Sequence, residues 1–188
     1  METTEHTLDR DERRILLQLA RGAIAREVGR DMSLPDDDAV AAHPQLTEPL
    51  GAFVSLHIGE RLRGCIGTFE ATRPLTRTVC EMAVAAATRD PRFSPLEPAE
   101  LDQLDIEISV LSPRSPAQPQ DIEVGKHGVY VTRGMNRGVL LPQVATDAGW
   151  DRETFLEHTC LKAGLPKDAW RSQDTRIEVF TAEVFAEH

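Results

Sequence analysis

The run Arg61-Leu62-Arg63-Gly64-Cys65-Ile66-Gly67-Thr68 places one thiol between two glycines, with a guanidinium two residues upstream. The thiolate is the reactive form of cysteine and a nearby positive charge favours it, so Cys65 beside Arg63 is the first candidate for nucleophilic chemistry. The missing side chains at Gly64 and Gly67 leave room for another backbone or for a ligand to come close. The competing reading is a small apolar residue tucked against a helix, because unpaired cysteines are among the most buried residue types. Cys80 and Cys160 fall on predicted helices and read as core.

Residues 51–67 read as two strands joined at Gly59-Glu60-Arg61. A three-residue loop pairs Ile58 with Leu62, Leu56 with Gly64 and Val54 with Ile66 on one face. The other face then carries His57 opposite Arg63 and Ser55 opposite Cys65, a pairing that a bulged turn would alter. In this register His57 could take a proton from the thiol and Ser55 could orient a substrate. Asp90 and Arg92 could form a pair reaching towards Cys65, and Glu107 on a neighbouring strand is a candidate acid or base. Gln143, after Pro142 at a strand end, offers an amide to a ligand. Each has a plain counterpart: an Asp-Pro loop is a common helix exit, a glutamate between isoleucines usually faces solvent, and Gln143 equally suits an ordinary surface.

Other chemistries find less support. His57, His127 and His158 are scattered, and no two histidines have the i, i+4 spacing of a helical metal site, so neither metal nor cofactor is expected. His127, between Gly125 and Gly128, reads as a turn residue. The glycines at 125, 128, 134 and 138 precede no helix start at the distance a phosphate cradle needs. Asp36-Asp37-Asp38 reads as a solvated loop. Three cysteines at wide, irregular spacing suggest reduced thiols.

The elements that must position these groups follow from the patterning. A chain of 188 residues, 40% hydrophobic and 28% charged, can build one substantial core with a possible small lobe. A net charge of -10 disfavours nucleic acid as a partner. The opening residues lack the pattern of a secretory signal and no apolar stretch is long enough to span a bilayer, so a cytoplasmic location and no membrane association are expected. Thr7 is placed to cap an amphipathic helix with Asp9 in its first turn and Leu8, Ile15, Leu19, Ala23 and Val28 on one side. The proline-bearing stretch from Asp31 to Pro49 reads as an exposed connection. Pro74 opens an alanine-rich helix ending near Arg89, and Leu104, Ile106, Ile108 and Val110 alternate as a half-buried strand. The proline-rich segment 112–120 is the candidate lobe boundary. Beyond it, Ile122–Val124, Val129–Arg133 and Val139–Leu141 read as a three-stranded antiparallel meander. Asp151 caps a helix with Trp150 and Phe155 as a staple and Gly164 at its end, and Ile177 with Val179 suggests a closing strand. The order lacks regular strand–helix alternation and predicts α+β.

Leu62-Arg63-Gly64-Cys65-Ile66-Gly67-Thr68, Asp90-Pro91-Arg92-Phe93, Leu140-Leu141-Pro142-Gln143-Val144 and Lys162-Ala163-Gly164-Leu165, in that order, closely resemble the AMMECR family. Its bacterial and archaeal members are known as AmmeMemoRadiSam system protein A. The resemblance runs over roughly residues 10–185 and implies one AMMECR-type domain over residues 7–185. It implies an α+β fold of a larger and a smaller lobe with a cleft near the cysteine segment. It also implies two partners, a Memo-like protein and a radical S-adenosylmethionine enzyme, but no established reaction. Two functions follow. In the first, a Cys65-centred cleft binds or modifies a small molecule, as a thiol-dependent enzyme would, with Cys65, His57 and Glu107 as catalytic groups and Ser55, Arg63, Gly64, Gly67, Asp90, Arg92 and Gln143 as substrate contacts. In the second, the protein is a non-catalytic accessory that docks onto one of those partners.

Overall fold

A computed structural model describes residues 7–187. In chain order its helices are α1 (Arg10–Glu27), α2 (Asp37–Ala41), α3 (Leu75–Thr88), α4 (Pro142–Asp147) and α5 (Arg152–Lys162). Its strands are β1 (Ala52–Ile58), β2 (Arg61–Thr68), β3 (Leu104–Leu111), β4 (Ser115–Pro116), β5 (Gly128–Arg133), β6 (Asn136–Leu140), β7 (Arg176–Phe180) and β8 (Ala182–Ala186). They form two antiparallel sheets packed against helices, an α+β fold. No helix among the described residues is long and apolar enough to cross a membrane.

The chain divides into two compact units: one holds the residues up to Leu111 together with those from Glu183 onward, the other Ser112–Ala182. The first is built on the sheet β2-β1-β3-β8. Val54, Leu56, Ile106 and Ile108 alternate into its core, where α3 lies on β1 and β2 and packs against α1. Asp9, and not Thr7, caps α1: its carboxylate takes the Glu12 amide, and Glu12 reaches back to the Asp9 amide. The shift follows from the capping box, which satisfies two orphan amides at once. Ile15, Leu16, Ala20, Ile24 and Ala25 form the buried face of α1, with Leu19 and Val28 at its margin. The stretch before β1 is not merely a connection. Asp36 caps α2 with Asp37 and Asp38 in its first turn, and a 3-10 turn at Pro44–Thr47 buries Leu46.

The second unit has the sheet β4-β7-β5-β6 over its own core, which includes Ile122, Val129, Val131, Phe155, Leu156 and Ile177. The expected meander is replaced by the hairpin β5–β6 with β7 on the other side of β5. Ile122–Val124 is not a strand: it follows a 3-10 turn, and Ile122 is a core residue. Leu141 and Pro142 do not extend β6 but open α4. At α5, Asp151 accepts from the Thr154 amide. Its far end is a Schellman arrangement: the Leu165 amide donates to the Cys160 carbonyl, that of Gly164 to Leu161, and Gly164 has φ +73°. Trp150 stacks on His158 with ring centroids 3.9 Å apart.

Candidate functional site

Cys65 sits on β2, at an edge of the first sheet, and its position depends on one irregularity. The loop between β1 and β2 holds two residues, Gly59 and Glu60, so that Ile58 faces Arg61 and His57 faces Leu62. Continued unchanged, that pairing would set apolar against polar side chains along the strand. A register shift between Leu56 and His57 leaves Arg63 as the extra residue and restores Leu56 opposite Gly64, Ser55 opposite Cys65 and Val54 opposite Ile66. The expected three-residue register is therefore right from Gly64 onward, while its His57–Arg63 and Ile58–Leu62 pairs are replaced.

On the other side β1 pairs with β3, with Ser55 opposite Glu107 and His57 opposite Asp105. Because side chains alternate across a strand, Cys65, Ser55 and Glu107 form one row on the face turned away from α3, and His57 lies on that face diagonal to the thiol. All four are half-buried. The Ser55 hydroxyl donates to Cys65 Sγ at 3.2 Å. Among the described residues His57 and Glu107 make no side-chain hydrogen bond or ion pair.

The loop after α3 is sewn to the outer edge of β2. Asp90, buried, accepts the Cys65 amide through Oδ2 at 2.9 Å. Its carboxylate also takes Arg92 Nε at 3.0 Å, Arg92 NH2 at 2.7 Å and the Arg92 amide at 3.1 Å. The Arg92 guanidinium, followed by the two amides, holds the Asp90 carboxyl below the usual carboxylate range against the effect of its burial. Asp90 in turn raises Arg92, and the neighbouring Cys65 adds to that. The cation beside the thiol is thus Arg92, which lies over the Phe93 ring and is 56% exposed at its side chain.

Arg63 is turned elsewhere. It clasps both oxygens of Glu100, at 2.8 and 2.9 Å, and donates to the carbonyls of Ser94 at 2.9 Å and Pro95 at 3.3 Å. Glu100 is lowered chiefly by Arg63, and its Oε2 also accepts the Glu97 amide. This makes Arg63 a brace for the 90–100 loop. The glycines are filled by the chain itself: a Cβ at Gly64 would lie 2.1 Å from the Ala86 carbonyl oxygen on α3, and one at Gly67 would lie 2.1 Å from the Phe53 ring. Of the two explanations for them, close approach of another part of the protein is the one observed. Gln143 lies in the first turn of α4, in the second unit. Burial raises the thiols of Cys80 on α3 and Cys160 on α5.

Concavities among the described residues of the first unit include a smaller and a larger one. One, of about 330 Å³, is lined by Ile58, Arg61, Leu62, Arg63, Phe93, Ser94 and Glu100, next to the bulge though without Cys65. The larger, about 990 Å³, runs along α1 and β8 and contains none of the candidate residues. Glu100 and the backbone carbonyls of Ser94 and Pro95 were not foreseeable as partners of Arg63, since only the Glu97-x-x-Glu100 capping pattern is visible in the sequence.

The sequence and the fold are those of an established group. The AMMECR1 family model matches residues 17–185, and the chain belongs to that family. A protein of Methanothermobacter thermautotrophicus is 45% identical over 96% of each chain. Protein MK0488 of Methanopyrus kandleri is 42% identical over 94% of this chain and 89% of its own. Among solved structures, the uncharacterised protein PH0010 of Pyrococcus horikoshii superposes with a TM-score of 0.79 at 40% identity, covering 92% of this chain and 90% of that one.

Proposed function

We propose that this AMMECR1-family protein binds a small molecule at the Cys65 face of its first sheet and acts on it through the thiolate. The observation that carries the reading is the Ser55 hydroxyl donating to Cys65 Sγ at 3.2 Å on a half-buried surface. Such a donor holds a sulfur anion in place without a covalent partner. In this proposal Cys65 is the nucleophile, Glu107 and His57 are the proton acceptors, and Asp90 fixes the strand at the thiol. The exposed side of Arg92 receives an anionic group of the ligand. Arg63, bound to Glu100, supports the loop, and Gly64 and Gly67 allow α3 and Phe53 to pack. The wider proposal places the protein in the cytoplasm, as part of an AmmeMemoRadiSam system with a Memo-like protein and a radical S-adenosylmethionine enzyme.

The test is iodoacetamide labelling of the native protein near neutral pH, read by mass spectrometry for each cysteine. Labelling of Cys65 ahead of Cys80 and Cys160, slowed in Ser55→Ala, supports the thiol reading. A Cys65 no faster than the two controls removes it. The second reading, an accessory protein, is tested at Met135, which is 90% exposed at the β5–β6 turn. A pull-down with the two partner proteins that is lost in Met135→Asp while Cys65 stays inert would favour it.

A further inference from the structure

The first turn of α1 carries a second cluster, away from the thiol. Its capping box occupies one oxygen of each carboxylate: Asp9 Oδ1 takes the Glu12 amide at 2.8 Å, and Glu12 Oε2 takes the Asp9 amide at 2.8 Å. Both side chains are thereby fixed, and each keeps one oxygen. Those oxygens converge on the same ring nitrogen. His43 Nδ1, from the segment between α2 and the following 3-10 turn, lies 3.9 Å from Asp9 Oδ2 and 3.5 Å from Glu12 Oε1. All three atoms lie within 4.8 Å of one another.

Two features separate this cluster from an ordinary helix cap. The Glu12 side chain is 4% exposed, and no donor among the described residues makes a hydrogen bond to its Oε1. A carboxylate on so buried a side chain is stabilised by a cation that meets its remaining oxygen. The spacings are also long for N–H···O bonds, which centre near about 2.9–3.0 Å. They are closer to the roughly 3.3 Å that separates two donors each about 2.0–2.1 Å from one tetrahedral ion. The positive end of the α1 dipole opposes a cation with only about half a charge, against the two full charges of the carboxylates.

We propose that Asp9, Glu12 and His43 form a binding site for a divalent cation of the zinc type, with water completing its shell. One imidazole and two carboxylates suit zinc by donor type, and neutral His43 is the ligating form. Asp9, 62% exposed at its side chain, leaves the site open to solvent. The ion ties the start of α1 to the 36–47 segment, independently of any reaction at Cys65.

The experiment is zinc titration by calorimetry of the full chain without a polyhistidine tag, followed by thermal unfolding with and without zinc. Two variants accompany the wild type: His43→Ala, which removes a ligand outside the helix, and Asp9→Asn, which keeps a good cap but removes the charge. Loss of even an outer partner of a metal site weakens binding about 10–100-fold, so each variant is expected to bind zinc at least tenfold more weakly. Zinc should raise the unfolding temperature of the wild type more than that of either variant. Absence of zinc binding by the wild type, equal binding in all three proteins, or weakening in only one variant would overturn the site.

Discussion

Asp90 does more for the thiol segment than any other single side chain. One buried carboxylate joins the edge of β2 to the loop that covers it, by taking the Cys65 amide and the Arg92 fork together. Asp90→Asn should cost about 1–3 kcal/mol, because the amide that replaces the carboxylate turns an N–H₂ group toward the same donors. The effect should depend on pH in a defined direction. The folded carboxyl is held below its ordinary value, so its contribution is complete above the unfolded pKa of about 3.9 and is lost as pH falls through the folded one. Urea unfolding of wild type and Asp90→Asn should therefore differ at pH 7 and converge in strong acid. Asp90 and Arg92 were legible as a pair from their spacing, but the Cys65 amide was not legible as their third member. A backbone donor at a sheet edge carries no mark in the sequence. Arg63 shows the opposite limit: its neighbourhood to Cys65 along the chain suggested influence on the thiol, and the bulge sends its guanidinium to Glu100 instead.

At the scale of elements, β2 and α3 are fitted to each other at Gly64. A methyl group there meets backbone, the Ala86 carbonyl, which cannot swing aside as a side chain can. Gly64→Ala should destabilise by at least about 2 kcal/mol, read from the denaturant midpoint, and without loss of the thiol itself. At the end of α5, Gly164 has φ +73° and open space nearby apart from Asn136 at 3.3 Å, so Gly164→Ala should cost about 1 kcal/mol through backbone strain alone. The elements with both ends marked were the readable ones. The α3 span follows from Pro74 and its alanine pattern, and α5 from Asp151 and Gly164. The bulge escaped because two-residue and three-residue loops each explain half of the hairpin, and only an inserted residue reconciles them. Ile122–Val124 misled because a short apolar run is equally suited to a strand and to a buried loop.

For the whole molecule, the closing strand belongs to the unit that opens the chain. Glu183 binds Arg13 and the Leu8 amide, and Glu187 holds Arg21 and the Ile106 amide, so β8 is fastened to α1 and to β3. Removing residues 183–188 should lower the unfolding temperature by several degrees or leave the first unit unfolded. Glu187→Gln, which keeps the strand and removes the charge facing Arg21, should give a smaller loss of about 1–2 kcal/mol. The apolar alternation of β7 announced a closing strand, but nothing local to β8 reveals a partner more than seventy residues earlier in the chain. During synthesis this arrangement sets an order. The helices and strands made first emerge from the ribosome with one side of β3 still unpaired, and residues 112–182 can fold in the meantime. The unit begun earliest is completed last, and until its final strand arrives the cell must shield an open sheet edge.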